Sequence, residues 1–156
     1  MKTSAGILMY RFTNKFLEVL LVHPGGPFWK NKDAGAWSIP KGELGPEEDP
    51  LSAARREFQE EIGTAIDGRF IPLQVRKLKS GKILLPWALQ GDLDAAAISS
   101  NTCQIEWPPR SGKMLEIPEV DQAAWMDLEK ARQKINSSQQ PILEELNKLL
   151  KTQKQL

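Results

Sequence analysis

Apolar residues cluster at residues 4–12 and 16–23, two runs rich in β-forming side chains and separated by Thr13-Asn14-Lys15, and this pattern predicts a β-hairpin. Pro24-Gly25-Gly26-Pro27 then forbids regular structure and opens a loop to Gly35 that carries Phe28, Trp29, Lys30, Lys32 and Asp33. A short strand is expected at residues 37–40, and a second loop, with two glycines and Pro46, at residues 42–49. The best-punctuated helix follows. Asp49 suits the N-cap, Pro50 the first helical position, and Gly63 a left-handed stop after Ile62. Within it Leu51, Ala54, Phe58 and Ile62 recur three and four apart and define an inward face. Residues 70–79 and 83–89 predict a second hairpin around Ser80-Gly81, and residues 101–107 and 123–126 further short strands. Residues 92–118 read as loop-rich. The chain ends in two helices, one over residues 128–135 and one from Pro141 with an apolar stripe of Ile142, Leu143, Leu146, Leu149 and Leu150. A mixed sheet with helices on its faces is the expected α/β product.

Composition changes this picture mainly by exclusion. The 156 residues are 40% hydrophobic and 26% charged, consistent with a single domain spanning residues 1–156. Twenty-one Lys plus Arg against 20 Asp plus Glu leave a net charge of +1, which supplies no strong field for nucleic acid or an anionic membrane. The single Cys103 cannot form an internal disulfide, the single His23 leaves too few soft ligands for structural zinc, and no apolar run is long enough for a signal core or a membrane span. A cytoplasmic location is expected. His23 and Cys103 are read as structural.

The predicted carboxylate helix asks for an explanation. At about 100° per residue, Glu57, Glu60 and Glu61 fall within about 100° of one another beside the apolar stripe. Like charges three and four apart cost about 0.2–0.5 kcal/mol per pair, and glutamates in a final helical turn oppose the helix dipole. Arg55 or Arg56 neutralises only part of this charge once Glu48 is counted, so a hard cation is the natural partner. Oxygen ligands without His or Cys favour Mg²⁺, with Mn²⁺ as a substitute, and Mg²⁺ is usually shared between carboxylates and substrate phosphates. A P-loop and a G-x-G-x-x-G motif are both absent.

Gly42, five residues, Glu48, seven residues, Arg56-Glu57-Phe58, one residue, Glu60-Glu61, one residue and Gly63 resemble the Nudix box, here residues 42–64. Thr64 stands where the family pattern has a bulky aliphatic residue. The resemblance implies a Nudix-type α/β/α sandwich with a mixed β-sheet, and Mg²⁺ held by Glu57, Glu60 and Glu61 against a diphosphate. By the same resemblance Glu60 and Arg56 are catalytic, Arg56 orienting the glutamates; Glu48 and Gly63 are structural in the motif, and Gly42 admits close backbone approach to substrate. Trp37-Ser38-Ile39-Pro40-Lys41-Gly42 is similar to the approach to the box in family members acting on dinucleoside polyphosphates and some triphosphates, which points Lys41 at phosphate; alternatively it is a surface lysine. Glu119, six residues before Trp125, matches the family's second acidic loop and is the preferred general base or further ligand, with Glu116 its competitor. In the stretch from Glu106 to Lys113, Arg110 is a candidate for polyphosphate, unless that stretch is only a stiff loop; Trp29 is either a stacking surface for a base or ordinary packing.

The expected function is Mg²⁺-dependent cleavage of a phosphoanhydride in a nucleoside diphosphate derivative, foremost a nucleoside triphosphate as in the MutT-like bacterial pyrophosphohydrolases the layout resembles. A dinucleoside polyphosphate substrate ranks close behind. A proline about fifteen residues after the box, usual in ADP-ribose hydrolases of the family, is replaced here by Lys79 and Ser80. A non-catalytic nucleotide-binding regulator is the alternative from another class; the complete carboxylate set argues against it.

Overall fold

The computed structural model of the protein describes residues 2–154. β1 (Thr3–Thr13) and β2 (Phe16–Pro24) form the expected antiparallel hairpin, closed by Asn14 and Lys15 at φ 51° and 71°. Positive φ at both turn residues matches the right-handed twist of the flanking strands. The third strand is displaced from its predicted place. β3 is Lys41–Glu43, so Gly42 lies in a strand rather than a loop, because these residues pair with Ser4, Ala5 and Gly6 of β1. Residues 37–40 make only isolated bridges, Ser38 to Val22 and Trp37 to Ile135.

α1 (Pro50–Ile62) has the caps its sequence predicts: Asp49 accepts the Ser52 N–H, and Gly63 ends the helix at φ 89°. The first arm of the second hairpin is broken in two, β4 (Ile71–Pro72) and β5 (Arg76–Lys77), both antiparallel to β6 (Ile83–Gln90). Within the stretch expected to be loop-rich, the strand expected at residues 101–107 is β7 (Thr102–Glu106), and two unexpected elements join it: a 3-10 turn at Ala95–Ala97 and β8 (Met114–Pro118), which pairs with β7 as a two-stranded arm. β8 was invisible to periodicity because most of its residues are exposed, so no alternation marks it. β9 (Val120–Asp127), α2 (Leu128–Lys134) and α3 (Gln140–Thr152) complete the chain.

The main sheet runs β4-β6-β1-β2-β9, with β3 added to β1 and β5 to β6; β1 and β6 are parallel and the other pairs antiparallel. β1 is covered on both faces. Its Ala5, Ile7 and Met9 pack with Ala53, Ala54, Phe58 and Ile62 of α1, and its Leu8 and Tyr10 pack with Ile142, Leu143, Leu146 and Leu150 of α3. The alternation along one strand thus feeds two cores, and the result is the expected α/β/α sandwich with a mixed sheet. Phe58 is fully buried, and truncating such a ring costs about 3–5 kcal/mol, so the inward face of α1 fixes where its carboxylates emerge. No helix of the described residues is long and apolar enough to cross a membrane.

Candidate active site

Arg56 organises the box. Its Nε and Nη2 donate to the two oxygens of Glu48, each at 2.9 Å, and Nη2 also donates to the Glu43 carbonyl at 3.1 Å. Nη1 donates to Glu57 Oε1 at 2.8 Å and to Glu60 at 3.1 Å. Glu48 in turn accepts the Gly45 N–H at 2.8 Å. The Arg56 guanidinium, with the Gly45 N–H second, holds the Glu48 carboxyl down at about 2, and the hydrogen bonds that Arg56 donates to Glu48 are the largest cause raising Arg56 further above its ordinary value. A planar fork of five donors can serve three carboxylates at once, which an ammonium group cannot do with the same geometry.

Glu57 and Glu60, three residues apart on α1, meet Glu119 from the junction of β8 and β9, with one oxygen from each lying within 4.8 Å of the others. The backbone brings them together: the Asn101 N–H donates to the Glu60 carbonyl at 2.7 Å, the Glu119 N–H to the Asn101 carbonyl at 2.9 Å, and the Gly25 N–H to the Glu119 carbonyl at 3.1 Å. At that separation an effective dielectric near 20 gives about 3 kcal/mol of repulsion per charged pair. Burial pushes the Glu57 carboxyl up, against the Arg56 hydrogen bond and with help from Glu60. Burial and then the Glu60 charge push Glu119 up as well. Three converging carboxylates that resist being charged together, without His or Cys, fit a hard divalent cation.

Glu61, expected beside Glu57 and Glu60, stands outside this triad. It lines a recess of 130 Å³ together with Lys41, Glu119, Ser38 and Pro24. Burial raises Glu61 well above the carboxylate range, Glu57 adds to this, and Lys41 opposes it. Burial lowers Lys41, with Glu61 opposing. Lys41 therefore faces the carboxylate recess and not open solvent. Gly42 lies directly under Glu57: a Cβ there would come within 2.0 Å of the Glu57 Cδ. Gly63 has a comparable constraint beyond its positive φ, since a Cβ there would meet the Ser99 carbonyl at 2.7 Å.

Two expected substrate contacts lie elsewhere. Trp29 packs against the core on the α3 side and meets Phe28 edge-on at 4.9 Å between centroids, so packing accounts for it. Arg110 lies at the tip of the β7–β8 arm, four residue pairs beyond its base at Thr102 and Pro118, and lines neither cavity that reaches the box carboxylates. Glu106 uses its carboxylate within that tip, accepting the Arg110 and Gly112 N–H groups. Glu116 is exposed in mid-strand opposite Gln104. His23 is structural as expected, bridging Asp121 at 2.8 Å and the Lys32 carbonyl at 2.6 Å. Sequence reasoning missed Gln139. This residue, 2% exposed, accepts the Ile39 N–H at 3.0 Å and bonds the Ser38 hydroxyl, clamping the segment that leads into Lys41. No local pattern announces such a partner 100 residues away.

The NUDIX domain profile matches residues 1–146, so the chain belongs to the NUDIX family of hydrolases. No curated protein matches the sequence. Among solved structures, an Ap4A hydrolase of C. elegans in a binary complex is similar at TM-score 0.67 and 22% identity, covering 96% of this chain and 98% of that one. The NUDIX domain of Shewanella oneidensis NrtR, complexed with ADP ribose, has TM-score 0.68 and 14% identity, covering 95% and 87%. A mutT/nudix family protein from Listeria innocua has TM-score 0.66 and 15% identity, covering 97% and 95%. At these identities the likeness is one of fold.

Proposed function

We propose that the protein is a Mg²⁺-dependent pyrophosphohydrolase that cleaves a phosphoanhydride in a nucleoside triphosphate. The observation that carries this reading is the convergence of Glu57, Glu60 and Glu119 beside Lys41. In this reading Glu57, Glu60 and Glu119 hold the divalent cation, Mg²⁺ or in its place Mn²⁺, which when bound neutralises the phosphoryl oxygens. Arg56 keeps Glu57 and Glu60 aimed at that point. Lys41 donates to a phosphate oxygen, and the Gly42 backbone lets the anhydride approach. Glu119 is also the preferred acceptor of the proton from the attacking water, with Glu61 across the recess as the other carboxylate in reach. In this reading the substrate is a free nucleotide.

A dinucleoside polyphosphate is the second substrate reading, favoured by the likeness to an Ap4A hydrolase over nearly the whole of both chains. Incubation with Mg²⁺ and nucleoside triphosphates, diadenosine polyphosphates or ADP-ribose, followed by chromatography of products, separates the two. Glu60→Gln keeps the shape of a half-buried side chain and removes its charge; a loss of about 10²- to 10³-fold in turnover with an unchanged circular dichroism spectrum is expected. Tight nucleotide binding without turnover of any compound would overturn the hydrolase reading in favour of a binding regulator.

A further inference from the structure

The side chains of the β7–β8 arm are sorted between its two faces. The register pairs Cys103 with Ile117 and Ile105 with Leu115. The ladder continues at both ends, where the Glu119 N–H donates to the Asn101 carbonyl and the Trp107 N–H to the Lys113 carbonyl, each at 2.9 Å. Side chains alternate across a strand, so these paired residues share one face of the arm. The opposite face carries Thr102, Gln104, Glu106 and Glu116, with Met114 and Pro118. Ile105, Trp107, Leu115 and Ile117 join neither of the two cores that flank the sheet. An apolar stripe that no core element covers marks a binding surface.

The stripe begins at the carboxylates. Asn101 lines a cavity of 470 Å³ with Arg56 and Glu60, while Glu119, its partner across the ladder, lines the Lys41–Glu61 recess and supplies one oxygen to the triad. One pair further out, Cys103 lies within electrostatic reach of Glu119: burial and then that charge push its thiol up. Ile117 is covered by the loop after β2, since a Cβ on Gly26 would come within 2.6 Å of its Cδ1. Beyond this contact Ile105 and Trp107 are half-buried and Leu115 is 41% exposed, and these three form the accessible stretch. At about 3.4 Å per residue, the pairs at Cys103 and Ile105 lie about 7 and about 14 Å along the strand from Glu119, a range covered by a ribose bearing one or two phosphates. A nucleotide with its phosphates at the carboxylates therefore carries its base over this stretch. We infer that Ile105, Trp107 and Leu115 form the surface on which the nucleobase of the substrate stacks, so that the arm recognises the base while the box holds the phosphates. The inference rests on the hydrolase reading and assigns the end of the substrate remote from the chemistry. Stacking on an indole and two aliphatic side chains uses no hydrogen-bond code, so the surface separates nucleotides from inorganic polyphosphate and not one base from another.

The test uses the full chain and the double variant Trp107→Ala/Leu115→Ala. Leu115→Gln places a polar side chain at a position already exposed and guards against misfolding, Trp107→Phe keeps an aromatic ring, and Phe16→Ala, at a residue 73% exposed at the start of β2, is the control. Calorimetric titration with Mg²⁺ and the α,β-methylene analogues of ATP and GTP should show both analogues binding about tenfold more weakly to the double variant and about threefold more weakly to Leu115→Gln. Trp107→Phe and Phe16→Ala should bind them as wild type does. Inorganic tripolyphosphate, which has no base, should bind every one of these proteins equally. In kinetics the double variant should raise KM for nucleoside triphosphate about tenfold with kcat nearly unchanged. Unchanged nucleotide affinity in the double variant and Leu115→Gln, or an equal loss of tripolyphosphate affinity, would overturn the inference, and turnover by wild type would then leave the hydrolase reading intact. Weakened nucleotide binding in the variants with no turnover of any compound by wild type would sink the hydrolase reading and leave the base surface standing.

Discussion

Replacing Gly42 by alanine adds one methyl group and tests whether the backbone of β3 fixes the Glu57 carboxylate. The added Cβ would lie 2.0 Å from the Glu57 Cδ and 2.1 and 2.4 Å from its oxygens, whereas ordinary Cβ contacts begin at 3.4 Å, so the carboxylate must withdraw by about 1.4 Å. Glu57 is buried behind Arg56, which donates to it at 2.8 Å, so the withdrawal either breaks that bond or drags the guanidinium off Glu48 and Glu60. Overpacking of this kind costs about 1–3 kcal/mol. For a domain of this size each kcal/mol lowers Tm by about 2–4 °C, so a fall of several degrees is expected by differential scanning calorimetry. Activity should suffer more than stability. Mg²⁺ tolerates ligand distances near 2.0–2.1 Å only, and a misplacement of about 1 Å costs about 10²-fold in rate. The double variant Gly42→Ala/Glu57→Ala isolates the cause. With the carboxylate gone the methyl group has room, so adding Gly42→Ala to Glu57→Ala should leave Tm unchanged. A Gly42→Ala protein with wild-type Tm and kcat/KM would refute the reasoning.

Two further substitutions probe the scaffold around the site. Gln139→Ala should destabilise the protein by about 1–3 kcal/mol, because the buried Ile39 N–H loses its acceptor, with a matching fall in chemical-denaturation midpoint; an unchanged midpoint would remove the clamp from the account. The Glu48 carboxyl is depressed to about 2 in the folded state, below its ordinary 4.5, so its contribution to stability is present above about 4.5 and lost as pH falls toward 2. The difference in denaturation midpoint between wild type and Glu48→Gln should therefore be constant above pH 5 and shrink on acidification, and a pH-independent difference would contradict the Arg56 pairing.

Much of the fold is legible in the sequence wherever the signal is local. Asp49, Pro50 and Gly63 specify both ends of α1 because caps act within one helical turn, and the apolar runs of β1 and β2 announce strands because each is buried over most of its length. Spacing alone places Glu57, Glu60 and Glu61 on one side of α1. It could not divide them. The tertiary structure sends Glu57 and Glu60 to Glu119 and turns Glu61 toward Lys41, a choice made by the β3 strand that passes beneath Glu57 and by the Asn101 hydrogen bond that draws the β9 approach onto the end of α1. Likewise the β7–β8 arm carries Arg110 away from the box, and the Gln139 clamp joins residues 100 positions apart. Local propensity and periodicity reach only a turn or a strand along the chain, so the sequence by itself determined the helix, its caps and the residue types that converge. Which carboxylates meet at one point depends on strand pairing and packing between distant segments, and that was decided only when the sheet closed.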